Sequence, residues 1–354
     1  MKLKRIIPGL FFQKCVLVLL LFVGVLPALA QVRPMRVMFW NVENFYDTEV
    51  DSTRDYNAFT PTGEQHWTYS RYITKRNNVF KTITAIGQGD LPHIIGLCEV
   101  ENERVLRELT NYTPLRQARY RIIHYESPDR RGIDVAMLYR PDYLRLISSR
   151  AVPVTDSGDA NFKTRDILRA TFLVNDADTL HVFVNHWPSR YGGQIESVER
   201  RFLAASVLRR QADSIMGSNP DAKILMMGDF NDTPTDLSLV QHLRALPSES
   251  LSQPTDLVNL YANSRYLGHE GTLKHQYSWQ IFDMIFVSQS LYKPQKRLRY
   301  MPGSARIFAA DFLLQDDDRY LGKKIFRTYL GPSYLGGFAD HLPVYVDLDW
   351  IEEL

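Results

Sequence analysis

Six short apolar segments, scattered from Phe39 to Val344, each meet a hydrogen-bonding or charged side chain at one end. They are Phe39-Trp40-Asn41, Ile94-Ile95-Gly96-Leu97-Cys98-Glu99, Val182-Phe183-Val184-Asn185-His186, Ile224-Leu225-Met226-Met227-Gly228-Asp229-Phe230-Asn231, Asp283-Met284-Ile285-Phe286-Val287 and Asp340-His341-Leu342-Pro343-Val344. Runs of this length, rich in β-branched and aromatic residues, read as strands of a buried sheet. A single polar strand end is an ordinary turn or Asx cap. Six of them predict strand ends gathered around one pocket.

Further strand-like runs are Val135–Tyr139 and Arg169–Val174, and the apolar stretch of the first segment begins at Arg36. Thr171-Phe172-Leu173-Val174 and Val344-Tyr345-Val346-Asp347 alternate as strands with one face on a core. Two stretches have helical periodicity. Arg71–Ile86 places Val79, Phe80, Ile83 and Ile86 on one stripe, and Ile195–Met216 places Phe202, Ala205, Val207 and Leu208 on another. Strands outnumber helices without strict alternation. The expected class is therefore α/β, a four-layer sandwich of two packed mixed β-sheets flanked by helices. With 354 residues, 45% of them hydrophobic, the chain can fill such a core. Thr48–Ser70 and Ala309–Gly337 read as polar surface insertions.

The first thirty residues stand apart. Lys2, Lys4, Arg5 and Lys14 precede an apolar run from Cys15 to Leu26, and Ala28-Leu29-Ala30 follows. This is the pattern of a secretory signal peptide, residues 1–30, cleaved before Gln31. The run is too short for a membrane span, which needs about 20 apolar residues. The expected product is a single catalytic domain, 31–354, periplasmic or extracellular, monomeric and without a stable membrane anchor. Removing the four basic residues leaves 38 basic against 40 acidic residues, a formal charge of −2. No net basic field then draws the protein to a polyanion, so phosphate recognition has to be local. Only Cys98 survives processing, which excludes an intrachain disulfide.

The polar set suits phosphate-ester hydrolysis. Carboxylate oxygens are the ligands that Mg²⁺ or Mn²⁺ takes, and neither a cysteine cluster nor a closely spaced histidine pair suggests structural zinc. Histidines move protons near neutral pH. Asparagine amides donate to phosphoryl oxygens without adding charge. The sequence has no P-loop, which argues against nucleotide-driven work.

Gly228-Asp229-Phe230-Asn231 and the late Asp340-His341, in order after Asn41 and Glu99, resemble the endonuclease/exonuclease/phosphatase superfamily, the fold of pancreatic-type deoxyribonuclease. The resemblance runs from about Arg36 to Asp349. Trp40-Asn41-Val42-Glu43-Asn44-Phe45 and Arg131-Gly132-Ile133-Asp134-Val135-Ala136 look most like its exported bacterial members. It implies Glu99 as the principal Mg²⁺ ligand with Asn41 beside it, and Asp340 helping to hold that metal or a second one. It also implies His341 acting on the attacking water or contacting the scissile phosphate, oriented by Asp283. Asp229 would transfer a proton, Asn231 would orient that group or the phosphate, and His186 would be the second imidazole. Which histidine is acid and which base is left open. Asn41, Arg165 and Arg190 are candidate phosphate contacts, the two arginines with solvated side chains as the alternative. Abasic-site relatives carry a tyrosine where this chain has His186, which weakens any transfer of abasic-site specificity.

The activity this implies is a metal-dependent phosphodiesterase, with nucleic acid as the first substrate expectation and an endonuclease as its simplest form. Arg130, Arg131, Arg165 and Arg190 are the candidate nucleic-acid groove. The alternative keeps the chemistry and changes the substrate to sphingomyelin, inositol phosphates or another small or lipid phosphoester. A third expectation is a catalytically inactive binding protein on the same fold.

Overall fold

Two strand-helix-strand crossovers explain why the polar strand ends can meet. In the first, β1 (Met35–Phe45) is joined through the 19-residue helix Tyr69–Gly87 to β2 (Ile94–Val100), and the strands pair in parallel. In the second, β7 (Asp178–His186) is joined through the helix Gln194–Ser218 to β8 (Lys223–Asp229), again in parallel. Parallel pairing needs a long connection of this kind, and it aims both strands' carboxyl ends the same way. The computed structural model describes residues 34–52, 56–293 and 297–350, all within one compact unit. The expected signal peptide, 1–30, lies outside the described residues. No helix among them is long and apolar enough to cross a membrane.

Between the two crossovers run β3 (Arg121–His124), β4 (Asp134–Tyr139), β5 (Leu144–Val152) and β6 (Ile167–Val174). After them come β9 (Ala245–Leu246), β10 (Leu257–Asn259), β11 (Leu273–His275), β12 (Ser278–Gln280) and β13 (Asp283–Ser288). The last are β14 (Leu298–Tyr300), β15 (Arg306–Ile307), β16 (Leu314–Asp316), β17 (Lys323–Ile325), β18 (Tyr329–Leu330), β19 (Ser333–Tyr334) and β20 (Val344–Trp350). One sheet has the order β14-β20-β1-β2-β4-β3, with β15 also against β20, and the other β5-β6-β7-β8-β13-β10-β9. Both are mixed, as expected for the α/β sandwich. Antiparallel β20 and β13 begin where parallel β1 and β8 end, which brings His341 and Asp283 to the same end as Asn41 and Asp229.

The sheets meet at Gly96 on β2. A Cβ there would lie 2.8 Å from the Met227 methyl carbon on β8 and 3.2 Å from the Phe39 ring. A larger residue there would force the Met227 side chain to shift. Phe39, Trp40, Leu97, Met226, Met227 and Ile285 around it are fully buried. Each such side chain contributes about 1.5–3 kcal/mol of apolar transfer free energy.

Two expectations are corrected. Thr48–Ser70 and Ala309–Gly337 are not appendages on the surface. Trp67 is fully buried, and its ring lies 6.0 Å from that of Tyr329 and 5.9 Å from Phe59. The Tyr329 hydroxyl donates to the Gln65 carbonyl at 2.8 Å. Aromatic rings set at intervals in otherwise polar segments let the two segments bury each other. Strand β1 also runs past Trp40 to Phe45, with a register shift between Asn41 and Phe45.

Candidate active site

Asp229, the last residue of β8, is the hub. Its strand neighbours are His186, its partner on β7, and Asp283, its partner on β13. Gly228 permits this crowding, because a Cβ there would fall 2.6 Å from the Cβ and carbonyl oxygen of Asn185. One oxygen, Asp229 Oδ2, accepts from Asn41 Nδ2 at 3.0 Å and lies 3.6 Å from His186 Nε2 and 3.9 Å from His341 Nε2. The other, Oδ1, accepts the Asn231 amide at 2.9 Å. Asp283 Oδ2 meets His341 Nδ1 at 2.7 Å, which fixes the ring and turns Nε2 toward Asp229. The buried Trp40 indole donates to the His341 carbonyl at 2.8 Å, pinning the segment before β20 to β1.

The charges follow from burial and neighbours. Burial works against an ionised Asp229; the nearby His341 offsets this in part, Asp283 adds to it, and the carboxyl is pushed up to about 7. Burial also opposes charge on His341, but Asp283, Asp229 and Asp340 overcome it and hold the imidazole well above its ordinary range. His186 is driven the other way, well below that range, by burial and then by Arg165, Arg131 and His341. The site therefore carries one cationic and one neutral histidine beside a carboxyl poised near neutrality, a set that titrates as a unit. Two buried polar atoms in it lack a protein partner, His186 Nδ1 and Asp283 Oδ1.

Glu99 and Asp340 stand beside this cluster. Glu99 has φ +60, a left-handed conformation that carries strain in a non-glycine residue, and its Oε2 accepts the Asn44 amide at 2.9 Å. Asp340 Oδ2 pairs with Arg327 at 2.9 Å. Burial resists its ionisation, but Arg327, His341 and Lys75 hold its pKa below the usual carboxylate value. Asn41, Glu99 and Asp340 offer oxygen donors only. The one nearby thiol, Cys98, is buried and pushed well above its ordinary range by that burial and the surrounding acids, so it is a poor ligand. The donor set fits a hard divalent cation.

Arg165 and Arg190, the expected phosphate contacts, are both engaged by the protein itself. Arg165 is buried, donates to the carbonyls of His186 and Trp187 at 3.2 and 2.6 Å, and pairs with Asp129 at 2.9 Å. Arg190 donates to the Asn231 carbonyl at 2.8 Å and pairs with Asp232 and Asp236 at 3.0 and 2.7 Å. Both guanidinium groups hold the loops that carry His186 and Asn231. Asn231 itself has φ +52 and donates to the Trp187 carbonyl at 3.0 Å.

A family model described as endonuclease/exonuclease/phosphatase matches residues 36–350. The chain belongs to the endonuclease/exonuclease/phosphatase family. It is thus a hydrolase of phosphate esters by descent, and its two mixed sheets are the family's fold. No curated protein matches the sequence. Among solved structures it is similar to a mannosyl-6-phosphatase of Bacteroides thetaiotaomicron, at 18% identity and TM-score 0.56, over 89% of this chain and 99% of that one. The human Nocturnin catalytic domain with bound sulfate is also 18% identical, with a TM-score of 0.51 over 90% and 95% of the two chains. TDP2 of D. rerio complexed with single strand DNA product is 13% identical, with a TM-score of 0.53 over 89% and 98%.

Sequence reasoning passed over a second charged group next to this family site. Glu43, two residues after Asn41, is buried and accepts from Arg327 and from the Thr328 and Tyr329 amides at 3.3, 2.7 and 3.3 Å. Burial and Asp340 push its carboxyl up to about 7, against the pull of Lys75 and Arg327. Lys75 is buried in the same place and donates to Thr328 Oγ1 at 2.6 Å and to the Phe338 carbonyl. Burial lowers its amine to about 8, with Glu43, Asp340 and Glu99 resisting. A signal was present: Lys75 precedes Val79 by four residues, which puts a lysine on the helix's apolar stripe.

Proposed function

We propose that the chain is an exported, Mg²⁺- or Mn²⁺-dependent phosphoester hydrolase in which Asp229 moves the proton. The supporting observation is the convergence of Asn41, His186, Asp283 and His341 on that one carboxyl. Asp229, held near neutrality, takes the proton of the attacking water or returns one to the departing oxygen. Cationic His341, aligned by Asp283, binds a phosphoryl oxygen as negative charge grows there. Neutral His186 donates or accepts on the other side of Asp229, and Asn41 and Asn231 fix the carboxyl's two oxygens. A divalent cation held by Glu99 and Asp340, with Asn41, would neutralise phosphate charge and polarise the ester.

The fold is shared by a mannosyl-6-phosphatase and by a TDP2 that holds DNA, so this chain's own residues must decide the substrate. A polynucleotide needs a run of uncommitted cations. Of the four arginines expected to form that groove, Arg165 and Arg190 are consumed in ion pairs, and Arg131 faces Glu99 and Asp129 at 3.9 and 3.7 Å. That leaves Arg130 and the loosely held Arg131, too short a run for a long backbone, and favours a compact phosphate ester over a long nucleic acid. The test is hydrolysis of bis(p-nitrophenyl) phosphate, DNA, RNA, sphingomyelin, phosphoinositides and sugar phosphates by the mature protein with Mg²⁺ or Mn²⁺. Turnover of a compact ester that EDTA abolishes and Asp229→Asn removes is expected. Turnover untouched by EDTA, or none on any substrate, would overturn the reading; a clear preference for DNA or RNA would restore the nuclease.

A further inference from the structure

A cavity of about 210 Å³ opens at Asp340, one of the proposed metal-holding carboxylates, with Arg327 also in its lining. Its walls come from two pieces of chain that the mechanism does not use, the β11–β12 hairpin and the β16–β17 hairpin. They are bolted together. Lys274 Nζ on β11 pairs with Asp317 at 2.8 Å and donates to the Leu321 and Lys323 carbonyls at 2.9 Å each. The Tyr277 ring, at the tip of the first hairpin, lies 4.8 Å edge-on from that of Tyr320. The cavity is therefore built into the fold, with Leu273, Ile325 and Leu330 supplying apolar lining.

Its charge is distinctive. Lys274 is fully engaged and neutralises Asp317. Lys324 stands 3.9 Å from the same carboxylate, already claimed at shorter range. Arg319 lies over the Tyr320 ring at 5.1 Å, and among the described residues no carboxylate is within ion-pair distance of its guanidinium. Of the four cations that line this partly apolar cavity, Lys274 and Arg327 are held by carboxylates at 2.8 and 2.9 Å, which leaves Arg319 and Lys324. Arg319 is exposed and Lys324 half-buried, so both can meet an anionic group that enters the cavity.

We infer that this cavity receives the ring of the substrate next to the scissile phosphate, and that Lys324 and Arg319 hold a second anionic group on that ring. The inference rests on the phosphoester reading above and narrows its substrate class to a compact bisphosphate or similarly doubly anionic ester. A sugar and a nucleoside both supply such a ring, and the arms of the test separate them.

Two measurements test it. In the first, wild type and Lys324→Ala/Arg319→Ala are compared for the ratio of kcat/KM on a bisphosphate to that on the matching monophosphate. The pairs are glucose 1,6-bisphosphate against glucose 6-phosphate, and adenosine 3′,5′-bisphosphate against adenosine 5′-monophosphate. Wild type should favour one bisphosphate, and the double variant should lose at least about tenfold of that ratio, the worth of one charge-assisted hydrogen bond. Lys324→Arg should keep most of it. In the second, the same bisphosphates are titrated calorimetrically into Asp229→Asn, with and without the two alanines, so that binding is read without turnover. A wild type that prefers neither bisphosphate, or a ratio and an affinity that the alanines leave unmoved, overturns the subsite. Lys324-dependent binding with no hydrolysis of any ester would instead uphold the subsite and overturn the hydrolase reading.

Discussion

Strands β1 and β2 carry buried charge at both ends, roughly 17 Å apart, and the two ends are built on opposite rules. At the amino end, Arg36 makes two 2.8 Å bonds to Asp347 and lies 4.5 Å over the Tyr345 ring. Arg140 pairs with Asp90, and His93 Nδ1 accepts the Arg36 amide at 3.1 Å. Each charge there faces its opposite. At the carboxyl end, acids are stacked on acids, His186 Nδ1 and Asp283 Oδ1 lack protein partners, and Glu43, Asn44 and Glu99 take left-handed backbone. A strand end that only stabilises pairs its charges, although Arg140 Nε there makes no hydrogen bond. One that performs chemistry holds them in want of a proton, a cation or a substrate oxygen.

The widest break in that comparison comes from single residues. His341→Ala should cut turnover by about a hundred- to ten-thousand-fold and also lower the unfolding midpoint in urea, because it leaves buried Asp283 and Asp229 without the cation that faces them. A variant that kept full activity would remove the histidine from the mechanism. Glu99→Gln should weaken Mg²⁺ activation, read as a rise in the metal concentration needed for half-maximal rate; an unchanged requirement would take Glu99 out of the metal site. Lys75→Met reverses the pattern. It strips the compensation from Glu43 and should cost stability, about 3–5 kcal/mol by urea denaturation. Adding Glu43→Gln should return part of the loss. If the double variant is no more stable than the single one, the two charges are not coupled.

Much of the arrangement was legible from periodicity. Both crossover helices and the strands that carry the polar residues were readable, though β1 runs on past Asn41 to Phe45, because buried parallel strands are continuous apolar runs and amphipathic helices keep a stripe. Strand β5 was not: Arg145, Ser148, Ser149 and Arg150 expose polar groups on an edge strand that lies outside the buried centre of its sheet. The ion-pair network was hidden for a different reason. Glu43, Lys75 and Arg327 come from three distant stretches, and nothing in a sequence says which charge will face which. For the same reason the ion pairs of Arg165 and Arg190 were not readable, since Asp129, Asp232 and Asp236 meet them only in space.

The smallest expected effect sharpens the comparison most, because it sets two buried histidines against each other. Burial first, then Arg140, lower His93 to about 4, with Asp90 and Asp347 opposing and Arg36 adding the smallest push. Its unfolded value is near 6.5, so between those pH values the unfolded chain takes up a proton that the folded one refuses. Its contribution is fully present above about 6.5 and is lost as pH falls toward 4, at most about 3 kcal/mol in all. His341 has the opposite sign: its raised value contributes stability at low pH that fades as pH rises through it. His181, lowered to about 4 by burial and Arg169, adds to the His93 slope. His93→Asn keeps an acceptor for the Arg36 amide while removing the titration. Urea midpoints between pH 4 and 7.5 should therefore fall less steeply on acidification in the variant than in wild type. Because His181 still titrates, a residual slope is expected. Equal slopes would mean that the amino end of β1 and β2 is not a closed arrangement of matched charges.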